Sequence, residues 1–316
     1  MGNKPRLIVI GGPTASGKTA AAVRLCQRIG GEVISADSMQ IYRGMDIGTA
    51  KPSLEEMGGI PHHLLSIADP GEKYSAAAYR DLASQAIRSA YASGHQPVLC
   101  GGTGLYIDAL TKPMSFADHT GSDALRAELT ALSETPLGKF KLHEMLEKVD
   151  PESAARLHLN DVRRVIRALE VYRLTGRTIT EQTHQDQARE GDYSVVMFAV
   201  SLPREILYDR INRRVDEMMN QGLVEEVEAL LKKGLTAGST AMQALGYKEI
   251  VAALNGQVSM EEAVEAIKQG SRHYAKRQLT WFRRDERVRW IEASEKTLDQ
   301  IVDEMIKEIR IHAGDF

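Results

Sequence analysis

The chain has 316 residues, 43% hydrophobic and 26% charged, a globular composition with room for about two domains. Forty Lys and Arg against 43 Asp and Glu leave a net charge of -3, which excludes nucleic-acid binding through bulk positive charge and leaves only local patches for it. Two cysteines, Cys26 and Cys100, are too few and too far apart for a disulfide framework or a zinc site, and no run of about 18 apolar residues offers a membrane span. The apolar run Leu7 to Ile10 is too short for a secretory signal core, so a reducing, cytoplasmic setting is expected.

In chain order, residues 6–10 (RLIVI) predict a short buried strand, followed by a Gly-rich turn and an Ala-rich helix ending near Gly30-Gly31. Strands at 32–36 (EVISA) and 97–100 (PVLC) enclose a helical stretch from Ser75 to Ser93. That alternation predicts a parallel sheet with binding loops at the C-terminal ends of its strands. From about 118 to 190 the periodicity turns helical (LRAELTAL, FKLHEMLEKV, DVRRVIRALEVYRL) and ends in the polar stretch EQTHQDQAREGD. A strand returns at 194–200 (SVVMFAV), and helical patterns then run from Arg204 to Lys233 and from Met260 to about Arg284.

Gly12, Pro13, Thr14, Ala15, Ser16, Gly17, Lys18 and Thr19 fit GxxxxGK[ST] and lie between the first strand and the first helix, where that motif works. Backbone N–H groups and the helix N-terminus there favour phosphate oxygens, Lys18 adds a full charge, and the Thr19 hydroxyl suits Mg²⁺. The ligand class is a di- or triphosphate, with ATP the usual occupant of such loops. The expected fold is α/β: a P-loop NTPase-like parallel-sheet core, a helical insertion domain and a helical C-terminal region. Its expected divisions are core 1–117, insertion 118–192, and core completion with C-terminal helices 193–316.

Asp37 follows the second strand, at the sheet edge where the phosphate loop also lies, and reads as a Mg²⁺ ligand, a general base or a turn cap. Thr103, in the Gly101-Gly102-Thr103-Gly104 exit of the next strand, is placed over the same edge. Arg210 and Arg214, four apart on a helix, either clamp phosphates or pair with Asp209 and Glu217. His62 and His63 have no metal-ligand spacing partner and read as structural.

Two stretches concentrate positive charge. Arg163, Arg164, Arg167, Arg173 and Arg177 lie opposite an apolar helix face made by Val162, Val165, Ile166 and Leu169. Between Arg272 and Arg289, seven Lys or Arg face only Asp285 and Glu286, with Tyr274, Trp281, Phe282 and Trp290 nearby. Each stretch alone reads as a solvated face with core aromatics; two of them in a chain of net charge -3 favour a folded RNA with unpaired bases.

With these residues in place, GPTASGKT (12–19), DSMQIYRGMDIGTAKP (37–52), PHHLL (61–65), YSAAAYR (74–80), GGTGLY (101–106), NDVRRVIRALEVYRLTG (160–176), ALGYKE (244–249) and KRQLTWFRRD (276–285) closely resemble the bacterial tRNA dimethylallyltransferases, or tRNA isopentenyltransferases, over nearly the whole chain. The resemblance implies transfer of a dimethylallyl group from dimethylallyl diphosphate to N6 of the adenosine immediately 3′ of the tRNA anticodon, with Mg²⁺ as cofactor and diphosphate released. By matching positions, Asp37 is the general base, Thr103 helps position the reacting groups, and Lys18, Arg210 and Arg214 meet the diphosphate. Asp37, Ser38, Met39, Gln40, Thr103, Arg163, Arg164, Arg167, Gly246, Tyr247, Lys248, Lys276, Arg277 and Arg283 fall where the family contacts the anticodon stem-loop. A monomer is expected. The resemblance departs at Ser66, where many relatives carry Asp, and with two cysteines the C-terminal zinc finger of eukaryotic relatives is not expected. The phosphate loop and paired arginines by themselves also allow a nucleotide kinase or a non-catalytic RNA-binding protein.

Overall fold

The structure, a computed structural model, describes residues 4–116 and 123–313. Two compact units form, unit 1 from Met1–Thr111 with Asp192–Phe316 and unit 2 from Lys112–Gly191. The domain boundary expected at 117/118 lies outside the described residues. Among the described residues, no helix is long and apolar enough to cross a membrane.

Unit 1 is built on a six-stranded sheet of β1 (Arg6–Gly11), β2 (Gly31–Ala36), β3 (His62–His63), β4 (Gln96–Gly101), β5 (Ser194–Ser201) and β6 (Val288–Glu292). Their order is β3-β2-β4-β1-β5-β6, and every pairing is parallel. Helices α1 (Lys18–Ile29), α2 (Ala76–Ala92) and α3 (Gly104–Thr111) precede unit 2. Unit 2 holds α4 (Asp123–Ser133), α5 (Gly138–Val149), α6 (Pro151–Arg156), α7 (Val162–Thr175) and α8 (Ile179–Gln187). Unit 1 is completed by α9 (Arg204–Asn220), α10 (Leu223–Lys232), α11 (Tyr247–Leu254), α12 (Met260–Phe282) and α13 (Leu298–Ala313). This is the P-loop-type α/β core with helices around a parallel sheet that the alternation predicts.

Both faces of β1 are covered, which is why its sequence reads as one apolar run. Leu7 and Val9 pack with residues of α2 and α3, while Ile8 and Ile10 pack with residues of α1 and α13. The Ser75 side chain caps α2 by accepting from the Ala78 N–H, so this helix begins where the sequence places it. The strand ends that matter for chemistry are in register. Gly11 of β1 and Ala36 of β2 both pair with Gly101 of β4, so the loops that follow all three strands emerge side by side. Unit 2 has its own core, in which Leu129, Leu142, Leu146, Val165, Ile166 and Leu169 meet.

Four local expectations change. The pattern from Arg204 to Lys233 is two helices, broken at Gly222, whose φ of 99 ends helical geometry. The polar stretch after residue 180 is partly helical, since Thr178 and Glu181 form a capping box that starts α8. Strands β3 and β6 are not legible in the sequence: the first is two residues long and the second, VRWIE, carries charge. Both lie at the edges of the sheet, where pairing on one side is enough and no apolar run is required.

Candidate active site

The phosphate loop joins β1 to α1 and is wound tightly. Ala15 at φ 63 and Gly17 at φ 92 adopt left-handed conformations of the kind that turn backbone N–H groups toward an anion. Lys18 Nζ donates to the Pro13 carbonyl at 3.2 Å, and among the described residues the buried Ser16 hydroxyl has no hydrogen-bond partner. Burial pushes the Lys18 ammonium below its ordinary value, against Cys100 and Asp37 and with help from Arg214. From α9, Arg214 donates to Thr14 Oγ1 at 3.4 Å and to the Ala50 carbonyl at 3.5 Å. Burial depresses its guanidinium too, opposed by Glu56, Asp37 and Glu217. Among the described residues neither half-buried cation has an ion-pair partner, an arrangement that suits an anion.

Asp37 leaves the end of β2 and turns the chain. Its Oδ1 accepts from the Met39 N–H at 2.9 Å and the Gln40 N–H at 3.3 Å, so it is a turn cap, while among the described residues Oδ2 accepts no hydrogen bond. Thr103 Oγ1 accepts from the Ser38 N–H at 3.0 Å, and the Thr103 N–H donates to the Ala36 carbonyl at 3.1 Å. The loops after β2 and β4 are thereby tied together beside the phosphate loop.

A cavity of about 490 Å³ opens there, lined by Thr14, Lys18, Thr19, Asp37, Ser38, Met39, Gln40, Arg214, Gly246, Tyr247, Lys248 and Arg277 among others. Every lining residue belongs to unit 1. Thr103, Lys276 and Arg283 are outside the lining, and so is Arg210, which is exposed. The expected pairing of Arg210 with Arg214 over the phosphates is not formed, because the turn of α9 that carries Arg214 to the loop leaves Arg210 in solvent; nearby, Asp209 pairs with Arg213 instead.

The cavity wall at 46–50 is held from behind. Glu226 of α10 accepts from the N–H groups of Asp46, Ile47 and Gly48 at 2.8, 2.8 and 3.0 Å, and from the Tyr247 hydroxyl at 2.6 Å. Tyr247, expected to meet tRNA, lines the cavity with its side chain fully buried and its ring filling the space beside Gly48. The loop so fixed uses the Thr49 and Ala50 carbonyls to hold the Gln40 amide at 3.2 and 3.1 Å. Lys51 braces the same loop through the Tyr42 carbonyl and Ser66 Oγ, so the Ser at the departing position still serves as an acceptor.

Neither Glu226 nor Gln278 stands out in the sequence. Nothing local marks Glu226. For Gln278, its spacing four residues after Tyr274 puts both on one face of α12, which was the available signal. Gln278 accepts from the Thr14 N–H at 2.9 Å and donates to the Gly102 carbonyl at 3.1 Å. An unpaired buried amide at such a place would cost about 1–3 kcal/mol.

The two basic stretches are only partly available to a partner. In unit 2, Arg163 and Arg164 are exposed on the first turn of α7, whereas Arg167 lies 3.8 Å from the buried carboxylate of Glu170 and Arg173 pairs with Glu128 at 3.1 Å. In unit 1, Arg272 pairs with Glu265, Arg287 with Asp285 and Arg289 with Glu308. Lys276, Arg277, Arg283 and Arg284 are exposed. Of the aromatics, Phe282 is wholly buried, Trp281 packs edge-on against it, and Trp290 is 38% exposed.

Among the described residues no group of three or more His, Cys, Asp or Glu is arranged to hold a metal. Thr19 lines the cavity and offers one hydroxyl oxygen, a donor type that suits Mg²⁺.

Residues 40–285 match the IPP transferase family. The tRNA dimethylallyltransferase of Halalkalibacterium halodurans is 46% identical over 302 residues, covering 96% of each chain. The tRNA isopentenylpyrophosphate transferase structure from Bacillus halodurans aligns with a TM-score of 0.74 and 44% identity, over 98% of this chain and 97% of that one. A eukaryotic dimethylallyltransferase acting on tRNA aligns with a TM-score of 0.83 and 28% identity, over 97% of this chain and 79% of that one. With a family match over most of its length and relatives this similar, the chain belongs to the IPP transferase family.

Proposed function

We propose that the chain transfers a dimethylallyl group from dimethylallyl diphosphate to N6 of the adenosine immediately 3′ of the anticodon in tRNA, releasing diphosphate. The observation that carries this reading is the meeting of two half-buried cations, Lys18 and Arg214, with the carboxylate of Asp37 in one cavity. Lys18, Arg214 and the loop N–H groups hold the diphosphate, and they stabilise the negative charge that grows on it as the allylic carbon–oxygen bond breaks. The buried Ser16 hydroxyl gains a partner in a phosphate oxygen. The Thr19 hydroxyl would help hold Mg²⁺, which would supply further neutralisation of leaving-group charge. The loop serves a prenyl diphosphate in this reading, not ATP.

The adenosine N6 amine attacks the allylic carbon and must lose a proton as the carbon–nitrogen bond forms. Asp37 takes it on Oδ2, its Oδ1 being fixed by the turn, and Thr103 holds the acceptor loop through Ser38. The target base is turned out of its stack to enter the cavity beside Met39 and Gln40. Arg163 and Arg164 in unit 2, and Lys276, Arg277 and Arg283 in unit 1, supply exposed charge for the anticodon stem-loop. In this reading the chain works as a monomer, and a tRNA substrate sets the work in the cytoplasm.

The test is incubation with labelled dimethylallyl diphosphate and an anticodon stem-loop carrying the target adenosine. Label should appear in the RNA with wild type, while Asp37→Asn loses at least about 100-fold in kcat with stem-loop binding retained. Full activity in that variant would refute the base role.

A further inference from the structure

Helix α12 carries Tyr274 and Gln278 one turn apart, and Gln278 is 5% exposed. Its single planar amide bonds in two directions. The Oε1 end accepts from the Thr14 N–H at 2.9 Å, and the Nε2 end donates to the Gly102 carbonyl at 3.1 Å. These partners fix which end is oxygen, since an N–H must meet an acceptor and a carbonyl a donor. The approach is so close that a Cβ on Gly102 would overlap Nε2, so a side chain there would push the Gln278 amide off its bonds.

Each partner leads to one half of the reaction. Thr14 belongs to the phosphate loop, and its hydroxyl accepts from Arg214. Gly102 precedes Thr103, which holds Ser38 next to Asp37. The Tyr274 phenol faces Thr103 and Gln278, and the Arg277 guanidinium lies 5.5 Å from the centroid of its ring. Burial raises the Tyr274 phenol to about 12, so it stays protonated at neutral pH. A continuous chain of bonds thus runs from the diphosphate loop through one buried amide to the base.

We propose that Gln278 is a positioning residue that sets the separation between the departing diphosphate and the acceptor loop; this rests on the prenyl-transfer reading above. Glutamine alone has an acceptor and a donor at this reach: Glu keeps the acceptor and loses the donor, Met loses both, and Asn is one methylene too short. The Thr14 N–H is already engaged by Gln278, so in this reading Lys18, Arg214 and the other loop N–H groups hold the diphosphate. The loop's grip on diphosphate therefore does not depend on Gln278, and the alignment of the reacting atoms does.

Gln278→Met and Gln278→Glu should each lower kcat for stem-loop prenylation by about 100-fold, the effect of a misplacement of about 1 Å. Inhibition by inorganic diphosphate and the KM for the prenyl donor should stay within about threefold of wild type. Two variants of different polarity guard against a folding failure in one, and melting temperatures show which are native. If either native variant turns over at the wild-type kcat, or if diphosphate inhibition weakens in step with kcat, the positioning role is overturned. Wild type run alongside separates the two readings: no prenyl transfer by wild type overturns the functional reading itself, whereas transfer by wild type and variants alike removes only the role of Gln278.

Discussion

Lys18 is held as a cation in a place that disfavours cations. Its folded-state value lies below the ordinary 10.5 because burial, supported by Arg214, outweighs Cys100 and Asp37. The sign of the consequence follows: ionised Lys18 costs stability at neutral pH, and that cost is relieved as pH rises through the lowered value. A bound diphosphate reverses the balance by supplying the missing counter-charge. Lys18→Met should therefore melt at or above the wild-type temperature yet bind inorganic diphosphate about 10- to 100-fold more weakly. Wild-type binding should weaken as pH rises toward the lowered Lys18 value, and calorimetry on both proteins checks this, because only the wild type loses that contribution. Asp37 and Lys18 were legible in sequence because each directly follows a recognisable strand or motif. Tyr247 was not, since nothing in ALGYKE distinguishes a tyrosine facing RNA from one bonded to Glu226 and buried.

At the scale of elements, β2 shows how one strand serves both fold and site. Its C-terminal end delivers Asp37, while near its start the buried Glu32 accepts from His63 Nε2 at 2.7 Å and His95 Nδ1 at 2.6 Å. Burial pushes the Glu32 carboxyl up, but its hydrogen bonds to the two histidines outweigh this and hold it below the usual glutamate value. A depressed carboxylate contributes stability above the ordinary value of 4.5 and loses it as pH falls through its own lower value. Glu32→Gln should cost about 1–3 kcal/mol at neutral pH and flatten the acid limb of the stability curve, read from urea midpoints at successive pH values. An unchanged acid limb would contradict the assignment. His63, without a metal-ligand partner in the sequence, is thus explained as a fastener of the edge strand β3 to β2.

At the scale of the whole molecule, a chain of net charge -3 presents exposed positive charge in both units. Arg163 and Arg164 provide it in unit 2, and Lys276, Arg277, Arg283 and Arg284 in unit 1. Replacing Arg283 and Arg284 by Ala should weaken stem-loop binding and flatten the slope of log K against log salt by about 0.7 for each phosphate that the arginines had neutralised. The same replacement of Arg163 and Arg164 should flatten it independently, and the two effects should add if each unit meets its own phosphates. An identical salt slope in either double variant would show that the pair touches no phosphate.

The alternating α/β core, the phosphate loop and the strand ends carrying Asp37 and Thr103 were legible from sequence alone, because these depend on local periodicity and on residues adjacent in the chain. The sequence also located the charge of two stretches, but not which of their arginines are already paired within the fold. Packing between distant elements brings Arg214 and not Arg210 to the loop, sets Glu226 and Tyr247 behind the cavity wall, and lets Gln278 join two loops that lie 264 and 176 positions before it. Such bonds depend on how distant elements pack, and a single buried side chain leaves no periodic mark in the sequence to announce them.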